Sequence, residues 1–459
     1  MLFGLIRKEI VHNVLSLRFM VTFVLFSVLI LVSILMLTSG FQKAQRTYET
    51  SRSSHREDIS QYRGKENQNQ LFHENIVEGG GIFGDRPPEP LGIFVHGLED
   101  DLPGQVNADV FRSRQINETF YRNPLFALFA TPDYSYIVNI VVSLLSLLFV
   151  FDSICGEKER GTLKVVLANS VPRDQVLLGK WIGGYISLAI PFLIALMSGI
   201  TYVYVTGALQ LEGQVVERLA WIVGVSLLYV SLFFALGMMI STLTHRPSTA
   251  LLVSLFVWIC WILVIPNLSP VIAKIAAPVP TLQKINAEKI AVDRETQIRV
   301  QRVSRNMLGY GKKAEEMRER IEQKGENRKR KLDHFYQEKL HTQIELSKNL
   351  SRISPSASFT YASTDLANTG VVLFANFKRS VKRYEDAFRE WGEDWHDKFH
   401  DDELPDNWFQ MDQIPSLTMV PSHLDDTIDA ALLDILLMAV FNVVFFMLSY
   451  AFFLRYDAT

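Results

Sequence analysis

Long apolar stretches that contain no Asp, Glu, Lys or Arg alternate with charged segments along the chain. There are six of these charge-free stretches, and each contains between 18 and 31 residues. A helix needs roughly 20 apolar residues to cross the hydrocarbon core of a bilayer, which is about 30 Å thick. The pattern therefore predicts six transmembrane helices, which we name TM1 to TM6: 19–42, 134–151, 181–211, 219–244, 247–273 and 435–454. It excludes a single soluble globule, and it excludes an outer-membrane barrel, whose strands alternate polar and apolar residues over about ten positions.

The segment before TM1, residues 1–18, has a helical pattern of its own. Its apolar residues recur at the spacing of one helix face, and its charged residues lie on other faces. This pattern predicts an amphipathic helix at the membrane interface; an ordinary helical extension of TM1 is the alternative. The charges interrupt the apolar residues and no small-residue cleavage site follows TM1, so we do not expect a cleavable signal peptide.

The distribution of Lys and Arg predicts the orientation of the spans. Basic residues near span ends concentrate in the segment 152–180, in the short connection after TM4, before TM1 and in the tail 455–459. Six spans place these segments on one side, which the positive-inside rule assigns to the cytoplasm. Residues 43–133, 212–218 and 274–434 then lie outside. We expect a multi-pass protein of the cell inner (plasma) membrane with both termini cytoplasmic, in contact with membrane lipids.

The two long external segments differ in composition. In residues 43–133, a polar stretch that is able to continue the TM1 helix is followed by glycine and proline pairs and by short apolar runs, which predicts a small mixed α/β domain. Residues 281–350 are dense in charged residues with sparse apolar positions, which predicts long helices and an antiparallel hairpin turning near Gly309–Gly311 or Gly325–Asn327. The predicted fold class is therefore an all-α polytopic membrane protein with two extracytoplasmic insert domains, the second, 274–434, being helical.

Composition narrows the kinds of site that this chain offers. The net charge is −3 and the charged fraction is 21%, so there is no basic excess that would indicate a nucleic-acid partner. Of the two cysteines, Cys155 lies in the cytoplasmic segment and Cys260 lies in TM5. Neither predicted external domain contains a cysteine, so disulfides do not hold those domains together.

The cytoplasmic segment 152–180 contains a glycine pair that partly matches a phosphate-binding loop. Gly156 and Gly161 have the required spacing, but the loop needs Lys after the second glycine, and this chain has Thr162 there. The complete motif GxxxxGK[ST] occurs nowhere in the sequence. We therefore expect no ATP binding by this route.

The same segment resembles the signature of ABC-2-type transporter permeases. The similarity rests on Asp152, on residues 157–163, on Pro172-Arg173 and on residues 178–180, while residues 353–357 and 366–370 look like a subgroup with large extracytoplasmic insertions. The resemblance implies that residues 152–180 form a coupling segment that packs on a separate ABC ATPase subunit, present in two copies. The coupling residues it implies are Asp152, Glu157, Lys158, Glu159, Arg160, Gly161, Thr162, Arg173 and Lys180.

The resemblance also implies the other partners and the cofactors. A second permease copy, in a homodimer or a heterodimer, would complete the membrane pathway. ATP and Mg²⁺ would be bound by the partner ATPase, so this chain would hold no cofactor and would not itself be an enzyme. From the residues alone, a loop that only sets the topology is an alternative reading of the coupling segment.

Three further positions are candidates for function. Asn442 lies in the middle of TM6 and Asp434 lies at its outer end, so both are possible pathway residues, although Asp434 is able to reach the interface. His396 and His400 are four residues apart and could share a metal ion, but no HExxH motif is present and acidic residues surround them. A solvated acidic helix face is the alternative, which makes these histidines a weak metal candidate.

Taken together, these patterns predict the membrane-spanning permease subunit of an ATP-driven ABC-2-type transporter. It would couple ATP hydrolysis to export or to work on an extracytoplasmic protein. The alternative is a membrane-anchored scaffold whose external domains organise a partner without transport. A membrane enzyme is the third and weakest hypothesis, because the sequence has no GxSxG motif, no Cys/His pairing and no intramembrane carboxylate pair.

Overall fold

The computed structural model describes residues 2–62, 68–78, 80–110, 124–126, 132–164, 172–210, 212–306, 312–400, 413–420 and 422–455. Within these residues the chain forms two compact units. The first contains Met1–Gln115, Ala127–Ile265 and Ser354–Thr459, and the second contains Ile116–Phe126 and Pro266–Ile353.

The described residues contain six helices that are long and apolar enough to cross a membrane, as the charge-free stretches predict. Their bounds are Leu17–Ser60 (TM1), Tyr134–Ile137 with Val138–Val142 and Ser143–Val150 (TM2), Arg173–Val205 (TM3), Gln214–Leu243 (TM4), Pro247–Ile259 with Cys260–Val264 and Ile265–Ala276 (TM5) and Leu424–Leu454 (TM6). Val138–Val142 in TM2 and Cys260–Val264 in TM5 are π-helical turns inside these spans.

The TM1 helix is much longer than the apolar stretch that predicted it. Its first turn is capped by the Ser16 hydroxyl, which accepts a hydrogen bond from the Phe19 amide at 3.2 Å. The helix then continues for 44 residues to Ser60, which corresponds to about 66 Å at 1.5 Å per residue. The polar stretch that follows residue 42 is therefore helical as far as Ser60. Its His55 Nδ1 lies 2.9 Å from the carboxylate of Asp85, further along the same predicted external segment.

The first external segment contains the predicted mixture of small elements. Helix α2 (Gln68–Phe72) leads into a π-helical turn at His73–Val77. Strand β1 (Ile82–Asp85) then pairs with strand β2 (Gln105–Ala108) in an antiparallel two-stranded sheet, with Ile82 opposite Ala108.

Helix α7 (Val371–His400) packs on this sheet and completes an apolar core. We call it the external core, after the predicted position of these segments. The Tyr384 hydroxyl donates a hydrogen bond to the Ile82 carbonyl at 2.9 Å. Phe388 and Trp395, further along α7, are buried in the same apolar cluster as Phe72 of α2. The small sheet is too short to bury a core by itself, so the aromatic face of α7 supplies it.

The second unit contains the predicted helical hairpin. Helices α4 (Leu282–Asn306) and α5 (Lys312–Ser351) run antiparallel, because Lys289 pairs with Asp333 while Asp293 pairs with Lys329. Helix α4 ends at Asn306 and α5 begins at Lys312, and the predicted turn at Gly309–Gly311 falls among the residues that the structure does not describe. A turn at Gly325–Asn327 is wrong: Gly325 is buried inside α5, where an added Cβ would lie 2.5 Å from the Thr296 hydroxyl.

Candidate functional site

The amphipathic N-terminal helix, α1 (Leu2–Val14), packs against the start of TM3. Two glycines one helical turn apart make the close approach possible. A Cβ on Gly179 would lie 3.0 Å from the Leu5 Cβ, and a Cβ on Gly183 would lie 2.8 Å from the Glu9 Cβ. Any side chain at Gly183 would therefore push α1 away from TM3.

The coupling segment begins with a short helix, α3 (Cys155–Glu159), directly after TM2. The Ser241 hydroxyl, near the end of TM4, accepts hydrogen bonds from the amides of Ile154 and Cys155, both at 3.1 Å. Helix α3 ends at Glu159 with Arg160 as its C-cap, and Gly161 follows with a φ of +72°, in the left-handed region that favours glycine. TM4 thus fixes the first turn of α3, and a glycine fixes its end.

A buried ion cluster joins α3 to two other helices. The Lys180 ammonium of TM3 lies 2.8 Å from the Glu157 carboxylate and 3.4 Å from the Glu9 carboxylate of α1. Only 12% of the Lys180 side chain is exposed, and both carboxylates are mostly buried. Separating these charges would leave a buried charge without its counter-ion, which is costly. A displacement of α3 would therefore also displace α1 and TM3.

Three further basic side chains join the segment to the ends of other spans. Arg18, in the first turn of the TM1 helix, donates two 2.8 Å hydrogen bonds to the Asp152 carboxylate after TM2. Lys158 donates to the backbone carbonyls of Thr242 and Thr244 at the end of TM4. Arg173, the first residue of TM3, donates to the Leu454 carbonyl at the end of TM6 at 2.9 Å.

The predicted coupling residues therefore divide into two groups. Asp152, Glu157, Lys158, Arg173 and Lys180 point back into the protein and hold span ends together. Glu159, Arg160, Gly161 and Thr162 are exposed. We call these four exposed residues the α3 tip. Sequence reasoning selected all nine residues but gave no means of separating the two groups.

A comparison with protein families identifies the chain as a whole. The model of the ABC-2 family transporter proteins matches residues 4–458. The chain belongs to this family. The resemblance of the coupling segment to ABC-2-type permeases is thereby confirmed, and the chain is a multi-pass membrane protein.

Two curated relatives match part of this ABC-2 family member. The chain is 32% identical over 132 residues to the "Probable ABC transporter permease protein NosY" of Stutzerimonas stutzeri, and 29% identical over 127 residues to the protein of the same description in Pseudomonas aeruginosa. Each match covers 28% of this chain and 46% of the relative. The chain thus spans about half the length of the curated relatives it matches.

Helix α6 (Pro355–Leu366) is a feature that the sequence analysis did not separate from the second external domain. All twelve of its residues are buried, although most of them are small or hydroxyl-bearing. It packs against TM2, TM4 and TM6. The Phe359 ring stacks on the Tyr229 ring of TM4 with a centroid distance of 4.4 Å. Many of its hydroxyls donate to the helix's own carbonyls, as Thr364 does to Thr360, which lets a polar helix be buried.

Asn139 of TM2 is the polar centre of this contact. Its Oδ1 accepts hydrogen bonds from the hydroxyls of Tyr229 and Ser356, both at 2.7 Å. Its Nδ2 donates to the Thr360 hydroxyl at 3.1 Å. One side chain of TM2 thereby joins TM4 to α6, and only 6% of Asn139 is exposed.

The two π-helical turns explain how backbone groups join the same network. A π turn interrupts the regular hydrogen-bond ladder and releases a carbonyl for other donors. In TM2, the Asn139 carbonyl accepts from the hydroxyls of Ser143 and Tyr229. In TM5, the Trp261 carbonyl accepts from the Ser354 hydroxyl just before α6. Both turns therefore lie where α6 is attached.

One of the two predicted pathway residues makes a hydrogen bond between two spans. Asn442 of TM6 donates a hydrogen bond to the Ser231 hydroxyl of TM4 at 2.9 Å, so it joins two spans. Asp434 is fully buried. A pathway role for either residue stays a prediction.

The predicted histidine pair is only partly described. The side chain of His400 lies outside the described residues. His396 stacks on His73, a residue of the first external segment, with ring centroids 5.0 Å apart.

Proposed function

We propose that this chain is the permease subunit of an ATP-driven ABC-2-type transporter, and that a separate ATPase docks on the α3 tip. The proposal rests on one observation: α3 is bound to other helices on one side and exposed to solvent at its end. Its inner side is tied to α1, TM3 and TM4 by Glu157, Lys158 and Ser241, whereas its outer end presents Glu159, Arg160 and Thr162 to solvent. A force that a docked ATPase applies to the α3 tip would therefore reach several spans at once.

Family membership supports the remaining parts of this proposal. ATP and Mg²⁺ would be bound by two ATPase copies, and a second permease copy would complete the pathway in the plasma membrane. The relatives that match are named as permeases. The long α4–α5 hairpin offers a surface for an extracytoplasmic protein, so the transporter would export a substrate or use ATP to act on that protein.

A charge reversal at the α3 tip tests the docking of the ATPase. The tagged chain would be purified from its native membranes, and the copurified ATPase subunit and its ATP hydrolysis would be measured. Arg160→Glu should reduce both by about ten-fold or more, because loss of an interfacial charge contact typically costs 2–5 kcal/mol. Arg455→Glu is the matched control: Arg455 is also exposed, beyond the end of TM6, and the same change there should have no effect.

Two outcomes would contradict the proposal. If the wild-type complex contains no ATPase subunit, the scaffold hypothesis replaces the transporter. If Arg160→Glu and Arg455→Glu reduce ATPase recovery equally, docking depends on general charge and not on the α3 tip. Glu157→Ala is a weaker test than Arg160→Glu, because Glu157 is bound to Lys180 and its loss also disturbs the packing of α1.

A further inference from the structure

Two histidines and a glutamate from distant parts of the chain meet at one end of the external core. His73 begins the π-helical turn after α2, Glu78 directly follows that turn, and His396 lies near the end of α7. Their potential ligand atoms all lie within 4.8 Å of one another. His73 and His396 are more than 300 residues apart in the sequence, so the fold itself creates the cluster.

Aromatic packing holds the two imidazole rings in place. His73 is buried and stacks on the Trp395 ring with a centroid distance of 5.5 Å. Trp395 is fully buried and also contacts the Phe72 ring at 5.4 Å. Each histidine directly follows one of these two aromatic residues in the sequence. The apolar core of the external region therefore fixes the backbone positions of both histidines.

The glutamate completes the set from the solvent side. The His73 Nε2 lies 3.2 Å from the Glu78 Oε1, and 53% of the Glu78 side chain is exposed. An ion held between the buried His73 imidazole, the partly exposed His396 imidazole and a solvent-facing carboxylate would have an entry path from solvent.

We propose that His73, Glu78 and His396 bind a divalent transition-metal ion, with Zn²⁺ the ion that their chemistry favours. Two imidazoles and one carboxylate with an open fourth position form a common zinc ligand set. Tetrahedral ligands at about 2.0–2.1 Å from Zn²⁺ are separated by about 3.3 Å, close to the 3.2 Å between His73 and Glu78. The ligand atoms of the cluster lie at most 4.8 Å apart, about 1.5 Å more than this. The His396 ring now stacks on the His73 ring at an interplanar angle of 22°, so ion binding requires the His396 ring to turn until its nitrogen points at the ion.

This site differs from the pair that the sequence suggested. The helical spacing of His396 and His400 places both ligands on α7 alone. The cluster instead joins α7 to the turn after α2, so the bound ion would cross-link two segments of the external core. A metal that binds only the folded arrangement stabilises it, and the site is independent of the proposed docking of an ATPase.

Metal titration of the purified full chain tests the site. The protein would carry a tag without histidines, would be stripped with a chelator, and would then be titrated with Zn²⁺ in competition with a chromophoric chelator. We expect one tight Zn²⁺ site per chain, and visible d–d absorption of four-coordinate Co²⁺ when Co²⁺ replaces Zn²⁺. Glu78→Gln and His396→Gln should each weaken binding at least ten-fold, because even the loss of a residue that only supports a metal ligand costs about 10–100-fold.

The variants distinguish this site from others on the chain. His341→Gln is the matched control, since His341 is an exposed histidine on α5, and it should bind Zn²⁺ as the wild type does. Glu78 is largely exposed, so Glu78→Gln tests the site even if His396→Gln does not fold. The proposal is overturned if the wild type has no tight site, or if Glu78→Gln binds like the wild type. A loss in His396→Gln but not in Glu78→Gln would assign the ion to the α7 pair.

Discussion

Replacing Asn139 by leucine should disconnect α6 from the membrane-spanning helices. Leucine has the same branched arrangement of four side-chain heavy atoms as asparagine, but its methyl groups neither accept nor donate hydrogen bonds. The substitution removes three side-chain hydrogen bonds, from Tyr229, from Ser356 and to Thr360. The Tyr229 hydroxyl keeps one acceptor, the Asn139 backbone carbonyl at 3.1 Å, whereas Ser356 loses the acceptor of its hydroxyl hydrogen.

The size of the effect follows from the number of bonds lost. A side-chain hydrogen bond between membrane helices contributes about 0.6 kcal/mol on average and up to about 1.7 kcal/mol. Three such bonds give an expected loss of about 2–5 kcal/mol in the free energy of unfolding. Because Asn139 lies on a π-helical turn, part of this loss would be recovered if TM2 returned to a regular α-helix, so the lower half of the range is expected.

Asn442→Leu provides a matched control within the same protein. Asn442 is also a mid-span asparagine. It donates one short hydrogen bond, to the Ser231 hydroxyl at 2.9 Å, and one long one, to the Leu228 carbonyl at 3.4 Å. Its replacement should cost about 0.6–1.7 kcal/mol.

Equilibrium unfolding in mixed micelles, with increasing SDS fraction and helix content measured by circular dichroism, compares the two variants with the wild type. A cysteine in α6 would report in parallel whether that helix becomes accessible to a thiol reagent. If Asn139→Leu costs no more than Asn442→Leu, or if α6 stays protected in both variants, the Asn139 network does not hold α6 and our reasoning is refuted.

Three other measurements test separate parts of the structure. A Cβ on Gly237 would lie 2.5 Å from the Val150 Cγ1, whereas one on Gly224 would meet nothing within 4 Å. Gly237→Val should therefore destabilise the protein by about 1–3 kcal/mol, and Gly224→Val should not. Equal melting temperatures of the two variants would contradict the packing of TM4 on TM2. Burial raises the pKa of Glu89 to about 7, so the folded state retains a proton that the unfolded chain loses, and stability should fall as the pH rises from about 4.5 to about 7. Glu89→Gln removes this loss and should gain about 3 kcal/mol over the wild type between those pH values, which chemical unfolding at both pH values would detect or exclude. In a variant without the two native cysteines, Arg330→Cys should react with an impermeant thiol reagent applied to intact cells, and labelling only after lysis would contradict the predicted orientation.

The spans and the hairpin were predictable because the residue composition of each segment determines whether it is stable in hydrocarbon or in water. Charged groups are expensive in hydrocarbon, so a charge-free stretch of sufficient length identifies each membrane helix. The ionic pairs of the hairpin, such as Asp293 with Lys329, need residues of both signs on facing helices, and the sequence shows that mixture. Helix ends and the π-helical turns were not predictable, because tertiary contacts determine them.

Helix α6 was missed because its composition is that of a solvated segment. Serine and threonine hydroxyls lower the apparent hydrophobicity, yet within a helix they donate to carbonyls one turn earlier and no longer require water. A signal was present nevertheless. Residues 353–364 form a charge-free run of twelve, and apolar or neutral runs of about 10–14 residues are typical of buried or re-entrant segments and not of full spans.

The same limits apply to the candidate sites. The coupling segment was found through its motif, but the sequence does not show which side of a five-residue helix faces the protein. Only the positions of Ser241 and Lys180 in the fold show that Glu157 and Lys158 point inward. The sequence offered no sign of His73 as a neighbour of His396 for a related reason. Spacing along one helix predicts neighbours on that helix, whereas His73 comes from a distant part of the chain and stacks on both Trp395 and His396.

TM2 is the span that connects the coupling segment to α6. Its end is bound to TM1 through Asp152 and continues into α3, while its opposite end holds α6 through Asn139. A helix is stiff along its axis, so a displacement of α3 would move Asn139 unless the π-helical turn at Val138–Val142 absorbs it. Asn139 lies on that turn and contacts α6 directly, so either response of TM2, a shift of the whole helix or a change within the turn, would alter the α6 contact.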